Sequence, residues 1–142
     1  MIASDSISTK YATSIDVYSF AIVMWELLFE DNPYLYKNTE KLFFKIDFEK
    51  TAYKKLTNFN VLAAVVRGMR PVVPFTNPEM CQQWCEIYLM PNEETSCDLQ
   101  RYSQCFFSLV MLIRESWNSD PKLRPSFETI TKRLIQLRDS IQ

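Results

Sequence analysis

The stretch from Val17 to Phe29 constrains the fold more than any other part of the chain. It is apolar almost throughout, and Glu26 is its single charged residue. Its apolar side chains would cover every face of a helix, which predicts a central helix buried on all sides. The stretch is shorter than the roughly 20 residues that a transmembrane helix needs, so we interpret it as a buried helix that is too short to cross a bilayer.

Capping residues give the predicted limits of this helix. Thr13 is followed three residues later by Asp16, the pattern of a hydroxyl cap with a carboxylate in the first turn. At the other end, Asn32 precedes Pro33, and proline both lacks an N–H group and disfavours a helical residue before it. The sequence therefore predicts a helix from near Thr13 to the Asn32–Pro33 step.

Three further helices are predicted downstream, which makes the chain a single, mainly α-helical domain over residues 1–142. The first starts at residue 60 or 61 and ends at Arg67, with Gly68 in the position where a left-handed residue closes a helix. The second runs from about Gln104 to Trp117, and the third starts at Ser126. Two apolar stripes at helical spacing support the last two helices: Phe106, Leu109, Val110, Ile113 and Trp117; and Phe127, Ile130, Leu134 and Leu137.

Two segments have no sustained period and are interpreted as insertions, at about residues 35–57 and 75–100. In the first, residues 42–46 fit a short helix or a short strand equally well. In the second, residues 79–89 fit a helix.

Two absences exclude several kinds of chemistry. The chain has no histidine, and Gly68 is its one glycine. A loop that holds phosphate groups needs several glycines for close backbone approach, and a Ser-His-Asp or Cys-His site needs histidine. We therefore predict no catalytic, cofactor-binding or metal-binding residue in this chain.

The net charge and the cysteines of the chain indicate which partners it could bind and where in the cell it is expected. Sixteen basic residues nearly balance 17 acidic ones, so the net charge is −1, which predicts neither a nucleic-acid partner nor contact with a membrane. The four cysteines lack the spacing and histidine help typical of a zinc site and are interpreted as reduced cytosolic thiols. The expected location is the cytoplasm, or the cytoplasmic side of a membrane-anchored parent protein.

Three segments carry a resemblance to protein kinases. Residues 10–28 read K-Y-A-T-S-I-D-V-Y-S-F-A-I-V-M-W-E-L-L and resemble the D-V-Y-S-F-G-I-V-L-W-E-L segment of tyrosine-kinase-like and tyrosine kinases. Residues 117–127, W-N-S-D-P-K-L-R-P-S-F, resemble the C-W-x-x-D-P-x-x-R-P-S-F signature of that family. Residues 65–71, V-V-R-G-M-R-P, resemble its V-x-x-G-x-R-P segment. The matches follow the family order, so the chain resembles the C-terminal lobe of a protein kinase domain.

The resemblance gives several residues an expected role. It implies that Asp16 accepts hydrogen bonds from the backbone of the catalytic loop, whereas the residues alone indicate a first-turn carboxylate favoured by the helix dipole. On either interpretation, Trp25 and Trp117 are expected to pack in the core. Glu26 interrupts an apolar helix and must therefore have a partner or reach solvent.

The corner before the last helix contains two more of these residues. Asp120 precedes a proline and is expected to form a turn. The resemblance implies that Arg124 pairs with the glutamate of the A-P-E motif. Counting back from Asp16 places Ser4 at that position, and a chain one residue shorter would place Asp5 there. On the residues alone, Arg124 is a solvated arginine in a proline-flanked turn.

The working parts of a kinase are missing from the sequence. The family uses a glycine-rich loop, a strand lysine, an H-R-D-x-x-x-x-N loop and a D-F-G aspartate that binds metal. The absence of histidine excludes H-R-D, and the single glycine excludes the glycine-rich loop and D-F-G. The resemblance implies that these parts, with ATP and Mg²⁺, belong to a longer parent domain and precede Met1, so this chain alone is expected to be inactive.

Two functions remain open. The chain is either part of a kinase that phosphorylates protein Ser/Thr or Tyr, or a stand-alone module that binds other proteins and derives from a degenerate kinase. Its expected partner is accordingly the rest of a kinase domain or a protein substrate. In either case, apolar surface left uncovered on the central helix is expected to cause association of the isolated chain.

Overall fold

A computed structural model describes residues 2–89 and 96–142, and it describes side chains for residues 12–89 and 98–142. The chain is 69% helical, and the described residues contain no strand, as the sequence predicted. The α-helices are α1 (Ile2–Phe29), α2 (Thr39–Leu42), α3 (Asn58–Val66), α4 (Pro78–Tyr88), α5 (Ser96–Ser116) and α6 (Phe127–Ser140). Short 3-10 turns occupy Phe48–Lys50, Ala52–Lys55 and Pro121–Leu123.

The central helix α1 begins much earlier than predicted. It starts at Ile2 and passes through Thr13 without a break, so the predicted cap at Thr13 is wrong. The reason is that no proline or glycine interrupts the chain before Pro33, and a hydroxyl residue inside a continuous helix does not start a new one. The other end agrees with the prediction to within a few residues, because α1 ends at Phe29 and Glu30 adopts a positive φ of 52°.

Among the described side chains of α1, residues 12–29, only one side of the helix is buried, so the prediction of burial on all sides is wrong. Its inner side places Ala21, Trp25 and Phe29 in the main core, where α5 packs against both α1 and α4. Its outer side leaves three apolar side chains largely exposed: Ile15 at 49%, Val23 at 52% and Leu27 at 66%. The described helices pack against one side of α1, which leaves its outer face uncovered.

Helix α1 is longer than the stretch Val17–Phe29, which the sequence analysis interpreted as too short to cross a bilayer. The window Ala12–Phe29 has 18 residues and a mean hydropathy of 1.4, and by length and composition it could span a membrane. This is weak evidence, because the core helix of a folded domain passes the same test. Of this window, 22% of the residues are buried in the structure, Trp25 and Phe29 among them.

Aromatic rings fill the main core between α1, α4 and α5. Phe29 and Phe75 lie against Trp84 with ring centroids 5.4 Å and 5.7 Å away, and Phe106 stacks on the same indole at 5.5 Å. A smaller cluster joins α1, α5 and α6 through Val17, Leu112 and Ile130. Aromatic pairs of this kind add to the energy of burial, so these contacts determine how the helices are arranged.

The observed ends of α3, α5 and α6 agree with the predicted ends to different degrees. Helix α3 starts two or three residues earlier than predicted. Gly68 closes it as predicted, with a φ of 102° and hydrogen bonds from the Gly68 N–H to the Val65 carbonyl and from the Met69 N–H to the Ala64 carbonyl. Helix α5 starts at Ser96 instead of Gln104. Helix α6 starts within one residue of the predicted start at Ser126, and the Ser126 hydroxyl accepts a hydrogen bond from the Thr129 N–H at 3.2 Å.

The two apparent insertions contain helices of their own. Residues 42–46 fit a short helix or a short strand in the sequence analysis; in the structure, Leu42 is the buried last residue of the short helix α2, and residues 43–46 form a turn. The predicted helix at residues 79–89 is confirmed as α4, which starts at Pro78 behind the cap residue Asn77. Nothing in the structure tests whether these segments are insertions relative to other proteins, so that interpretation stays a prediction.

Three tyrosines hold the extended segment that follows α3. The Tyr34 hydroxyl donates to the Met69 carbonyl at 3.1 Å, and the Tyr53 hydroxyl donates to the Arg70 carbonyl at 2.6 Å. The Tyr36 hydroxyl accepts a hydrogen bond from the Val72 N–H at 2.8 Å. These bonds fix the path of the chain between α3 and the core.

Burial of these phenols predicts a loss of stability at alkaline pH. Desolvation raises the pKa of Tyr34, Tyr36 and Tyr53 above the ordinary value of 10.0. Because each pKa is higher in the folded chain than in the unfolded chain, their contribution is complete below pH 10 and falls as the pH rises above it. We expect the urea midpoint to decrease as the pH rises from 10 to 11, and Tyr36→Phe to make that decrease shallower. An identical decrease in the variant would contradict the assignment to Tyr36.

Candidate functional site

Two arginines enclose the ring of Tyr18 where α1 meets the turn before α6. The guanidinium carbon of Arg70 lies 5.0 Å from the ring centroid, and that of Arg124 lies 5.1 Å from it. Both distances fall within the range of a cation–π contact. The two arginines are far apart in the sequence, so this arginine corner (Tyr18, Arg70 and Arg124) exists only in the folded chain.

Arg124 connects this turn to α1. Its Nε donates to the Asn118 carbonyl at 2.8 Å, and its Nη1 donates to the Ser14 carbonyl at 2.9 Å. The predicted partner of Arg124 at the A-P-E glutamate position is Ser4 or Asp5, and the side chains of both lie outside the described residues, so this pairing stays a prediction. What the structure describes is an arginine that joins two elements through backbone carbonyls.

Arg70 makes an even larger set of hydrogen bonds, which the sequence analysis missed. Its Nε donates to the Trp117 carbonyl at 2.8 Å, and its Nη1 donates to the carbonyls of Val65 at 3.2 Å and Met69 at 2.9 Å. Its Nη2 lies 3.2 Å from the Ser119 hydroxyl oxygen. The available signal was a charged residue between a helix-closing glycine and an apolar extended segment, where a guanidinium must find acceptors.

The other motif residues fall into two groups. Trp25 is fully buried, and its Nε1–H donates to the Val72 carbonyl at 2.8 Å, while Trp117 is also buried in the core. The carboxylate of Asp120 accepts a hydrogen bond from the Lys122 N–H at 3.0 Å and so forms the turn at Pro121. These three residues build the scaffold around the arginine corner.

Asp16 and Glu26 lie elsewhere, on the uncovered side of α1. Both are exposed, and neither side chain forms an ion pair or hydrogen bond with another described residue. Because α1 starts at Ile2, Asp16 is not in the first turn, and the interpretation of it as a carboxylate stabilised by the helix dipole is wrong. Together with Ile15, Val23 and Leu27 they define the open face of α1.

A surface cavity of about 490 Å³ lies at the C-terminal end of this open face. Val23, Glu26 and Leu27 form one wall, and the loop at Asp31 forms another. The Asp31 carboxylate is already hydrogen-bonded within the chain, because it accepts hydrogen bonds from the backbone N–H groups of Lys37 and Asn38 at 2.8 Å. The cavity therefore offers apolar surface and the Glu26 carboxylate to whatever covers it.

Cysteines supply the remaining reactive groups. Cys81 and Cys85 are buried on α4 with their sulfur atoms 4.0 Å apart, and Cys97 lies outside the residues whose side chains are described. The hydrogen bond from the Cys81 thiol lowers the pKa of Cys85, and the same bond with burial raises the pKa of Cys81. Burial raises the pKa of Cys105. Within the described residues, no group of three or more His, Cys, Asp or Glu side chains could hold a metal ion.

Comparison with known proteins shows similarity to protein kinases. The chain is 26% identical over 129 residues to the probable serine/threonine-protein kinase roco7 of Dictyostelium discoideum, covering 91% of this chain and 3% of that protein. It is 30% identical over 119 residues to the human ankyrin repeat and protein kinase domain-containing protein 1, covering 82% and 10%. It is 28% identical over 130 residues to the mouse receptor-interacting serine/threonine-protein kinase 4, covering 92% and 12%.

These matches support the interpretation of the chain as a fragment of a kinase domain. The chain spans only a small part of the curated relatives that it matches, between 3% and 12% of the three named here. No protein-family model matches the chain. No solved structure matches it either.

Proposed function

We propose that this chain is the helical lower half of a protein kinase domain of the tyrosine-kinase-like group, and that the complete domain phosphorylates protein side chains with ATP. One observation carries the proposal: protein kinases match about 90% of the chain at 24–30% identity. Two of the three relatives described above are named as serine/threonine kinases, which favours Ser or Thr over Tyr as the acceptor.

The open face of α1 supports this proposal physically. A helix with exposed Ile15, Val23 and Leu27 has apolar surface that a folded domain normally covers. Asp16 is an exposed carboxylate on the same face and can accept hydrogen bonds from backbone N–H groups of a segment placed against it. The proposed occupant of this face is the remainder of the kinase domain, including its catalytic loop.

The residues of this chain do not fit ATP or Mg²⁺. The sequence has one glycine, which closes α3, and no histidine for an H-R-D loop. The described carboxylates form no cluster that could hold a metal ion. We therefore assign no catalytic step to this chain, and both groups would be bound by other parts of a parent domain, in the cytoplasm or on the cytoplasmic side of a membrane.

The first test compares the isolated chain with the longer protein encoded in frame with it. We expect no saturable Mg-ATP binding by the isolated chain in calorimetry, and phosphoryl transfer by the longer protein. In that protein, Asp16→Asn is expected to lower kcat by about 100-fold, because a loop held in the wrong geometry loses alignment of the reacting groups. Asp139→Asn, on the exposed surface of α6, is the matched control and should leave kcat unchanged.

Two outcomes would contradict this proposal. One is a micromolar ATP isotherm for the isolated chain, and the other is an unchanged kcat in Asp16→Asn. The alternative function, a stand-alone module that binds proteins, predicts a different coding sequence upstream of Met1. An in-frame H-R-D followed by D-F-G upstream of Met1 supports the kinase, whereas an immediate stop codon supports the module.

A further inference from the structure

Helix α3 presents an apolar stripe to solvent. Phe59 is 95% exposed, Leu62 74% and Val66 80%, and these are the most exposed large apolar side chains among the described residues. They are three and four residues apart, so they lie on one face of the helix. This outward face of α3 (Phe59, Leu62 and Val66) is distinct from the open face of α1 and from the arginine corner.

Packing among the described residues does not explain this stripe. No residue of α3 is fully buried, and its inner side consists of the half-buried residues Val61, Ala64 and Val65. The helix is held mainly at its C-terminal end, by the turn at Gly68 and the hydrogen bond from Arg70 to the Val65 carbonyl. The three outward side chains therefore contribute little to folding, and exposed apolar stripes of this kind mark interaction sites.

Charge around the stripe indicates the chemistry of what it binds. Residues 50–78 contain five basic residues and no acidic residue, but Lys50 and Lys54 pair with Asp47 and Glu49, and Arg70 donates to backbone carbonyls. Lys55 and Arg67 flank α3 at its two ends, both are exposed, and neither forms an ion pair with another described residue. The surface is thus apolar at its centre and basic at its ends.

We propose that the outward face of α3 docks an amphipathic helix of a partner protein, with apolar anchors flanked by Asp or Glu. Apolar side chains at helical spacing on a partner helix can pack against this apolar face, and acidic residues beside them complement the charges of Lys55 and Arg67. This proposal does not depend on the kinase function, because the docking can be measured without phosphoryl transfer.

Two other occupants fit the surface less well. A second copy of the chain, placed face to face on the same stripe, would bring Lys55 and Arg67 against their own equivalents, and like charges at an interface oppose association. An anionic membrane would contact a helix of only nine residues, about 13 Å long, with three anchors and two flanking cations. A helical partner matches both the length and the charge.

The test uses the full 142-residue chain and a display library of 15-residue helical peptides. Each peptide carries Leu or Phe at three positions spaced as in the stripe, and every other position is random. We expect selected peptides to be enriched in Asp and Glu and to bind with micromolar Kd. Phe59→Ser with Leu62→Ser should weaken binding at least 10-fold, and Lys55→Glu with Arg67→Glu should weaken it several-fold.

The matched control is Ile87→Ser on α4, which removes an apolar side chain that is 52% exposed on another helix. It should leave peptide binding unchanged. Val66→Ser changes one residue of the stripe, so its effect on peptide binding does not depend on the folding of the Phe59 and Leu62 double variant.

Four outcomes would overturn the proposal. The first is that no peptide is enriched, and the second is that the enriched peptides lack acidic residues or bind the Phe59 and Leu62 variant equally well. The third is binding to phosphatidylserine vesicles that depends on Phe59 in the absence of peptide binding. The fourth is self-association that Phe59→Ser abolishes, which would indicate a second copy as the occupant.

Discussion

Trp25→Ala is expected to lower the free energy of unfolding by about 3–5 kcal/mol, because it empties the largest fully buried site on α1. The indole contacts Phe29 and Tyr36 with ring centroids 5.3 Å and 5.9 Å away. Its loss also leaves the Val72 carbonyl without the hydrogen bond from Nε1. A loss of this size is a large part of the stability of an ordinary domain.

Urea unfolding followed by circular dichroism measures this effect. Leu27→Ala is the matched control on the same helix, because Leu27 is exposed, and it should change stability by less than about 0.5 kcal/mol. Trp25→Phe separates packing from hydrogen bonding, since it keeps an aromatic ring and removes the N–H group. A similar loss for Trp25→Ala and Leu27→Ala would mean that α1 is not buried on the side described here.

Arg70→Lys is expected to lower the free energy of unfolding by about 2 kcal/mol, although it preserves the charge. The guanidinium donates to three backbone carbonyls at once, and a lysine ammonium cannot reproduce that planar arrangement. It also lies over the ring of Tyr18, a contact that favours arginine. The group is half-buried, so water reaches part of the site and limits the loss.

Arg67→Lys is the control for this variant. Arg67 lies three residues earlier, is exposed and forms no ion pair with another described residue, so its replacement should be nearly neutral. Thermal unfolding of both variants beside the parent chain gives the comparison. Equal melting temperatures for Arg70→Lys and the parent would show that the hydrogen bonds of Arg70 contribute little.

Local signals in the sequence gave reliable predictions where one or two residues decide the structure. Gly68 closes α3 because the C-terminal turn needs a left-handed residue, and Ser126 caps α6 because its hydroxyl reaches the Thr129 N–H. The start of α1 was predicted wrongly from the same kind of signal. A cap pattern at Thr13 has meaning only where a helix begins, and nothing before it stops the helix.

The candidate sites were predictable only in part. The motif resemblance selected Arg124 and Asp16, but it gave Arg70 no role, since a hydrogen bond to the Trp117 carbonyl joins residues 47 positions apart. The exposure of Phe59 was also not predicted, because an apolar helical stripe has the same pattern whether it faces a core or solvent.

By itself, the sequence determined that the chain is helical, where α6 begins and how α3 ends, because short-range hydrogen bonding and backbone geometry decide these features. Only the tertiary structure decided which side of α1 is covered, which carbonyls Arg70 and Arg124 reach, and that α3 turns its apolar stripe outward. Those outcomes depend on contacts between residues far apart in the chain, and no local pattern specifies which surfaces the other helices will cover.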